Sequence, residues 1–197
     1  MDFDTIIRTR RSIRRFRQDP IDKAVLLTLI EAARCAPSAA NRQPIRYVVV
    51  DNLPLCSRVF EQLAWAAYVQ PKRNPPPSRE PVAYIVVLVD HAVTPAQFAS
   101  ADVGAAVENV LLLAWAKGIG SCWLGSINRD NLKDLLRIPD HLHIDSVIAL
   151  GVPDETPVME DALPDSVKYY LDDNNTLHVP KHRLIDITHY NKFGTKI

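Results

Sequence analysis

The sequence predicts an α+β fold, a mixed central sheet flanked by helices, in one domain spanning residues 1–197. Two observations carry this. Four short apolar runs of strand character (47–51, 82–90, 121–124 and 144–151) are separated by helix-period segments, but not in a strict β–α–β repeat. Gly118-Ile119-Gly120 follows a helical segment and precedes a strand, the reverse of the order in a dinucleotide-binding fold.

The elements follow in order. Phe3, Ile6 and Ile7 lie at helical spacing and predict a short first helix with an arginine cluster at its C-terminal end. Asp22 is placed to cap a second helix carrying Val25, Leu26, Leu29, Ile30 and Ala33 on one side, which stops before Pro37. Residues 37–44 are a loop by composition, 47–51 a buried strand, and 54–70 a helix with Pro54 near its start. Residues 71–81 hold five prolines, too many for a helix or a central strand, so they read as an exposed, partly extended loop, either a lid or a connector. A second apolar strand, 82–90, precedes a long helix, 98–117, whose apolar residues occur nearly all round and mark it as buried on most faces. Gly118 ends that helix; strand 121–124, a helix capped by Asn128 and running to about Arg137, and strand 144–151 complete the body. From Val158 the chain is more polar and poorly periodic. Leu177-His178-Val179 reads as an edge strand in an arm, about 158–197, that reaches a partner subunit.

Composition sets bounds. With 47% hydrophobic and 23% charged residues, wholesale disorder is excluded. The most apolar stretch, 103–120, is interrupted by Glu108, Asn109 and Lys117, so no membrane-spanning run is expected. The first residues include Asp2 and Asp4 and no apolar leader, and three widely spaced cysteines suggest buried thiols in a reducing compartment; the expected location is cytoplasmic.

Six of the ten residues 8–17 are arginine, yet 23 basic residues balance 23 acidic ones. Arginine forks beside a serine hydroxyl suit a phosphate or a flat carbonyl-bearing heterocycle. Nucleic acid would normally be met by a net positive domain, so a local anion site is favoured over it, with a solvated basic helix face as the other reading. No phosphate-binding glycine loop or nucleophile elbow is present. His141 and His143 lack companion ligands and no metal is expected; Cys122 reads as a core thiol and His189 as structural. No acid–base–nucleophile set is visible, so an enzyme with this sequence needs a cofactor that carries the chemistry.

Four separated segments then converge. Arg10-Arg11-Ser12-Ile13-Arg14, Ala36-Pro37-Ser38-Ala39-Ala40-Asn41-Arg42-Gln43-Pro44, Gly118-Ile119-Gly120-Ser121-Cys122-Trp123-Leu124-Gly125 and Pro180-Lys181-His182-Arg183-Leu184 resemble, in the right order, the flavin-binding segments of the nitroreductase family. The resemblance implies an FMN-dependent oxidoreductase using NADH or NADPH, built as a homodimer with a flavin in each interface cleft. It implies that Arg10 and Ser12 lie at the ribityl phosphate with Lys181 and Arg183, and that Arg14 reaches the pyrimidine edge, where a cation favours reduced flavin. Arg11 is assigned backbone contact only. Pro37, Ser38, Ala39, Asn41 and Gln43 would meet the flavin from the opposite subunit. Trp123, Leu124, Gly125 and Ser126 would run along the ring, with the Gly125 N–H close to N5. No side chain is assigned as catalytic, since flavin N5 carries the chemistry. The implied electron acceptor is a small molecule such as a nitroaromatic or quinone; neither nucleic acid nor membrane is an expected partner.

The chain departs from the family pattern in being short, with a compact, proline-rich segment between Cys56 and Pro81 where substrate-shaping helices usually lie; Asn74 is the nearest match there for the family's pyrimidine-edge asparagine. Two other readings stay open: a specialised flavin enzyme of the same fold acting on a biosynthetic or halogenated substrate, and an arginine-rich module for an anionic partner.

Overall fold

Most helices begin where the sequence supplies a side-chain acceptor. In a computed structural model describing residues 1–66, 68–69, 74–163 and 166–195, the helices are α1 (Phe3–Thr9), α2 (Lys23–Arg34), α3 (Leu53–Phe60), α4 (Ala96–Ala116), α5 (Arg129–Leu136) and the short α6 (Leu184–Ile187). Asp2, Asp22, Asn52 and Asn128 accept from backbone N–H groups in the first turns of α1, α2, α3 and α5. Gly118, at φ +75°, turns the chain out of α4.

The strands are β1 (Phe16–Arg17), β2 (Ile45–Val50), β3 (Ala83–Asp90), β4 (Gly120–Leu124), β5 (Leu142–Pro153), β6 (Val158–Asp161), β7 (Tyr170–Leu171) and β8 (Leu177–Lys181). In the five-stranded sheet β5 pairs with β1, β3 and β4, and β3 pairs with β2, all antiparallel. Parallel pairing occurs at the margin, in the Ser12–Ser121 bridge, and between β6 and β8 in a three-stranded second sheet.

Two apolar layers sandwich the large sheet. Ile85, Val87 and Val89 of β3 face α2 and α4, whereas Tyr84, Val86 and Leu88 face Trp65, α3 and α5. Alternate residues thus go to opposite layers. Residues 98–116 do reach the length and apolarity of a membrane span, with a mean hydropathy of 1.3, contrary to the sequence reading; Val103, Val107, Val110 and Ala114 on this helix are buried in the first layer.

Three of these readings need correction. The strand at 45–50 is largely half-buried, with only Val50 fully covered. α3 stops at Phe60 because residues 62–64 pair with the turn after β4: Ala64 N–H donates to Ser126 O and Asn128 N–H to Gln62 O, at 3.0 and 2.9 Å. β8 is the centre of the second sheet, flanked by β6 and β7, and not an edge. Residues 71–73 of the proline-rich loop lie outside the described residues; within 74–81 no helix or strand forms, and Pro75 is buried.

Tyr84 is fully buried and its hydroxyl has no partner among the described residues. Burial also pushes its phenol far above the ordinary value. Tyr84→Phe is therefore expected to be neutral or stabilising by up to about 1 kcal/mol in urea denaturation, since an unpaired polar atom is removed without loss of packing. A loss of more than about 1 kcal/mol would mean that the hydroxyl is bonded in solution.

Candidate functional site

The arginine run crosses the sheet at two glycines. A Cβ on Gly120 would stand 2.8 Å from Ile13 Cγ1, and one on Gly151 would stand 2.7 Å from Phe16 Cδ1. Bare backbone on β4 and β5 lets Ile13 and Phe16 sink to zero exposure. Ile13 N–H donates to Ser121 O at 2.9 Å, Phe16 N–H to Arg79 O at 3.0 Å, and Asp154 N–H to Arg15 O at 2.9 Å. With Ile13 and Phe16 pinned, the polar residues between and before them are placed against the second sheet.

Arg10, Arg11, Ser12, Arg14 and Lys181 line a cavity of about 210 Å³, with Tyr169, Leu177 and Val179. Three of these side chains have defined partners. Arg10 Nε lies 3.7 Å from Glu108 Oε1. Arg11 folds back to donate to the carbonyls of Arg10 and Arg8, as a cation at a helix C-terminus should, and burial beside Arg10 lowers its pKa. The Arg14 guanidinium stands over the Tyr169 ring at 5.4 Å from its centroid, and the Arg14 N–H donates to Glu155 Oε1 at 2.5 Å. The buried Nε atoms of Arg11, Arg14 and Arg15 and the buried Ser121 Oγ have no partner among the described residues. Of these, Arg11 and Arg14 line the cavity, where unpaired donors suit an anionic, oxygen-rich ligand. Arg8 and Arg17 instead pair with Asp4 and Asp19 at 2.8 Å, so the run is not an unbroken basic surface.

The other expected residues lie elsewhere on this chain. Pro37, Ser38 and Gln43 line a separate, mostly apolar cavity of about 440 Å³ with Leu27, Ile30, Tyr47 and Asp102. Ala39 opens a single 3₁₀ turn, Ala39–Asn41, and the amides of Asn41 and Gln43 bond each other, Gln43 Nε2 to Asn41 Oδ1 at 3.1 Å. Trp123 is half exposed on β4 and Leu124 is buried. Among the described residues, its chain neighbours aside, no atom lies within 4 Å of where a Gly125 Cβ would stand, so that backbone is open to a close approach. The carbonyls of Gly125 and Ser126 accept from Arg129 and from Ala64 N–H. Arg183 is not in the cationic cavity; it caps α6 and forks onto Asp186 at 2.8 and 3.0 Å.

Tyr169 and Glu155 were not legible in the sequence. Tyr169 sits in a polar, aperiodic tail, and only the second sheet brings it under Arg14. Cys122 is a buried thiol with its pKa raised by burial. His189 Nδ1 accepts from Gly194 N–H at 3.3 Å, and His143 stacks edge-on against His91. Among the described residues no three His, Cys, Asp or Glu side chains are grouped to hold a metal ion.

Lys181 is delivered by β8, and His178 on that strand is bracketed by two acids. Its Nδ1 lies 2.8 Å from Glu160 of β6 and its Nε2 3.4 Å from Asp172. These hydrogen bonds raise the His178 pKa above 6.5 and help lower those of Glu160 and Asp172. A raised histidine contributes stability that is fully present below its unfolded pKa and is lost as pH rises through the folded value. The lowered acids contribute above their unfolded values and lose that contribution as pH falls through the folded ones. The second sheet should therefore loosen as pH rises past the His178 midpoint. Protease cleavage in 158–195 is expected to accelerate there, and His178→Gln should remove the step. An NMR midpoint for His178 below 6.5 would contradict the arrangement.

The description "Nitroreductase family" belongs to the family model that matches residues 7–152. A Methanothermobacter thermautotrophicus protein, provisionally named NADH dehydrogenase/NAD(P)H nitroreductase, is 31% identical over 172 residues, covering 85% of this chain and 86% of its own. A provisionally named nitroreductase from Desulfovibrio desulfuricans, solved in complex with FMN, superposes with a TM-score of 0.68 at 28% identity, over 83% of this chain and 93% of that one. A nitroreductase family protein from Clostridium novyi covers 100% of this chain and 97% of its own, with a TM-score of 0.65 at 25% identity.

Proposed function

The chain belongs to the nitroreductase family, and from that premise we propose that it is an NAD(P)H-dependent FMN oxidoreductase whose phosphate-binding half-site is the cationic cavity of residues 10–14 and β8. The observation that carries this is the gathering of Arg10, Ser12, Arg14 and Lys181 around one cavity from opposite ends of the chain. The buried Nε atoms of Arg11 and Arg14, without partners among the described residues, fit a phosphate and a carbonyl-rich ring edge. When bound there, FMN would supply the redox chemistry, hydride uptake from NAD(P)H and electron delivery to an acceptor such as a nitroaromatic or quinone.

The chain's own residues bind and tune. Arg10 and Lys181 would neutralise the phosphate, and the Ser12 hydroxyl would hydrogen-bond to it. Arg14, held by Tyr169 and by its backbone bond to Glu155, keeps a fixed positive charge at the pyrimidine edge. Arg183 joins the phosphate by giving up Asp186, an exposed pair of small worth. The open backbone at Gly125 suits the ring near N5. The 37–43 loop faces a different cavity from Arg14 on this chain. This separation supports a homodimer in which each flavin takes the loop from the second copy.

The test begins with colour. The protein is expected to purify yellow and to release FMN, not FAD. Because one open flavin face serves both substrates in turn, rates with a quinone should give parallel double-reciprocal lines. A colourless protein that takes up no added FMN would overturn the reading, and intersecting lines would overturn the shared face.

A further inference from the structure

We propose that Asp102 is a positioning residue that holds the 38–43 loop in shape and thereby sets FMN affinity; the second half rests on the reading above that this loop contacts flavin. The loop is strained. Ala40, Asn41 and Gln43 have φ of 51°, 53° and 52°, in the left-handed region that non-glycine residues avoid. Asparagine tolerates that region, but Ala40 has no polar group to offset its cost. Such residues persist only where their surroundings hold them.

Besides the turn's own backbone bonds, Asn41 N–H to Ser38 O at 2.9 Å and Arg42 N–H to Ala39 O at 3.2 Å, the loop's side-chain bonds are exposed: Gln43 N–H to Ser38 Oγ at 3.0 Å and Gln43 Nε2 to Asn41 Oδ1 at 3.1 Å. Arg46 Nη1 donates to Gln43 O at 2.9 Å, also on the surface. The tie to the interior is the Ala39 N–H, which donates to Asp102 Oδ1 at 2.9 Å, one residue before the strained Ala40. Asp102 is 4% exposed on α4, the helix packed against the sheet, so its position is set by the core. Its Oδ2 is buried and has no partner among the described residues. A half-satisfied buried carboxylate is a poor device for stability, and an apolar side chain would pack α4 better. The bond to the Ala39 N–H gives this carboxylate a role in the loop.

The experiment measures hydrogen exchange of peptides covering 38–43 in flavin-free protein, and FMN affinity by flavin fluorescence. Asp102→Ala should speed loop exchange and raise the FMN Kd, each by about tenfold or more, the scale of a lost buried charge-assisted bond. Asp102→Asn keeps an acceptor at Oδ1 but loses its charge, and should raise both measurably but by no more than about threefold. Ala40→Gly removes the strain, so Asp102→Ala/Ala40→Gly should regain most of the lost affinity. Unchanged exchange in Asp102→Ala overturns the proposal, as does faster exchange with unchanged affinity. If Asp102→Ala does not fold, the milder pair decides: Asp102→Asn should raise the Kd measurably in the wild-type background but not with Ala40→Gly, and equal effects in both overturn the proposal. A wild-type protein that takes up no FMN removes the flavin half, while the exchange arm still tests the hold of Asp102 on the loop.

Discussion

Replacing Arg14 and Lys181 together by alanine is expected to weaken FMN binding by about a hundredfold to ten-thousandfold. Each substitution removes a hydrogen bond to a charged group, worth about 1.5–3 kcal/mol, and every 1.4 kcal/mol is roughly tenfold in affinity. The two residues come from opposite ends of the sequence and share one cavity of about 210 Å³. Their separate effects should differ in kind. Lys181→Ala should lower affinity and leave the potential of the flavin that remains bound nearly unchanged, because in the proposed site its charge would lie at the phosphate end. Arg14→Ala should also lower the potential, since the proposed site would lose a fixed cation beside the reduced ring. Arg183→Ala should cost less affinity than Lys181→Ala, because Arg183 first has to leave Asp186. Fluorescence titration and redox potentiometry read both quantities. Equal shifts of potential in the Arg14 and Lys181 variants would remove Arg14 from the pyrimidine edge.

Phe16→Ala is expected to destabilise the protein by about 3–5 kcal/mol, the range for truncating a fully buried aromatic residue. Phe16 has no exposed surface and packs over Gly151, where only a bare backbone leaves room. The same contact is testable from the other side. Gly151→Ala would place a Cβ against the ring and should cost about 1–3 kcal/mol through overpacking. Both changes should also weaken FMN binding, since Arg14 lies between Ile13 and Phe16 and is aimed by their burial. Urea denaturation gives the stability, and flavin titration of the folded fraction gives the affinity. A Gly151→Ala protein of unchanged stability would mean that the segment crosses the sheet with more space than the geometry allows.

Much of the architecture was readable one element at a time. Asp22 and Asn128 mark helix starts, Gly118 a helix stop, and the apolar runs of β3 and β5 their burial, because caps and periodicity act over a few neighbouring residues. The length of α3 was misread for the complementary reason. Residues 62–64 could continue a helix, but their backbone groups pair with the turn after β4, and that partner lies more than sixty residues away in sequence. The same division holds at the site. Arg10, Ser12, Arg14 and Lys181 were visible as residue types suited to a phosphate, in segments that resemble a known family. Their convergence depends on Gly120 and Gly151 admitting Ile13 and Phe16, and on β8 pairing between β6 and β7. Tyr169 beneath Arg14 and Asp102 behind Ala39 carry no local signature, because a side chain's role in holding another is set by long-range packing. Local rules wrote the elements and the ligand chemistry into the sequence, and contacts between distant segments decided which charges meet.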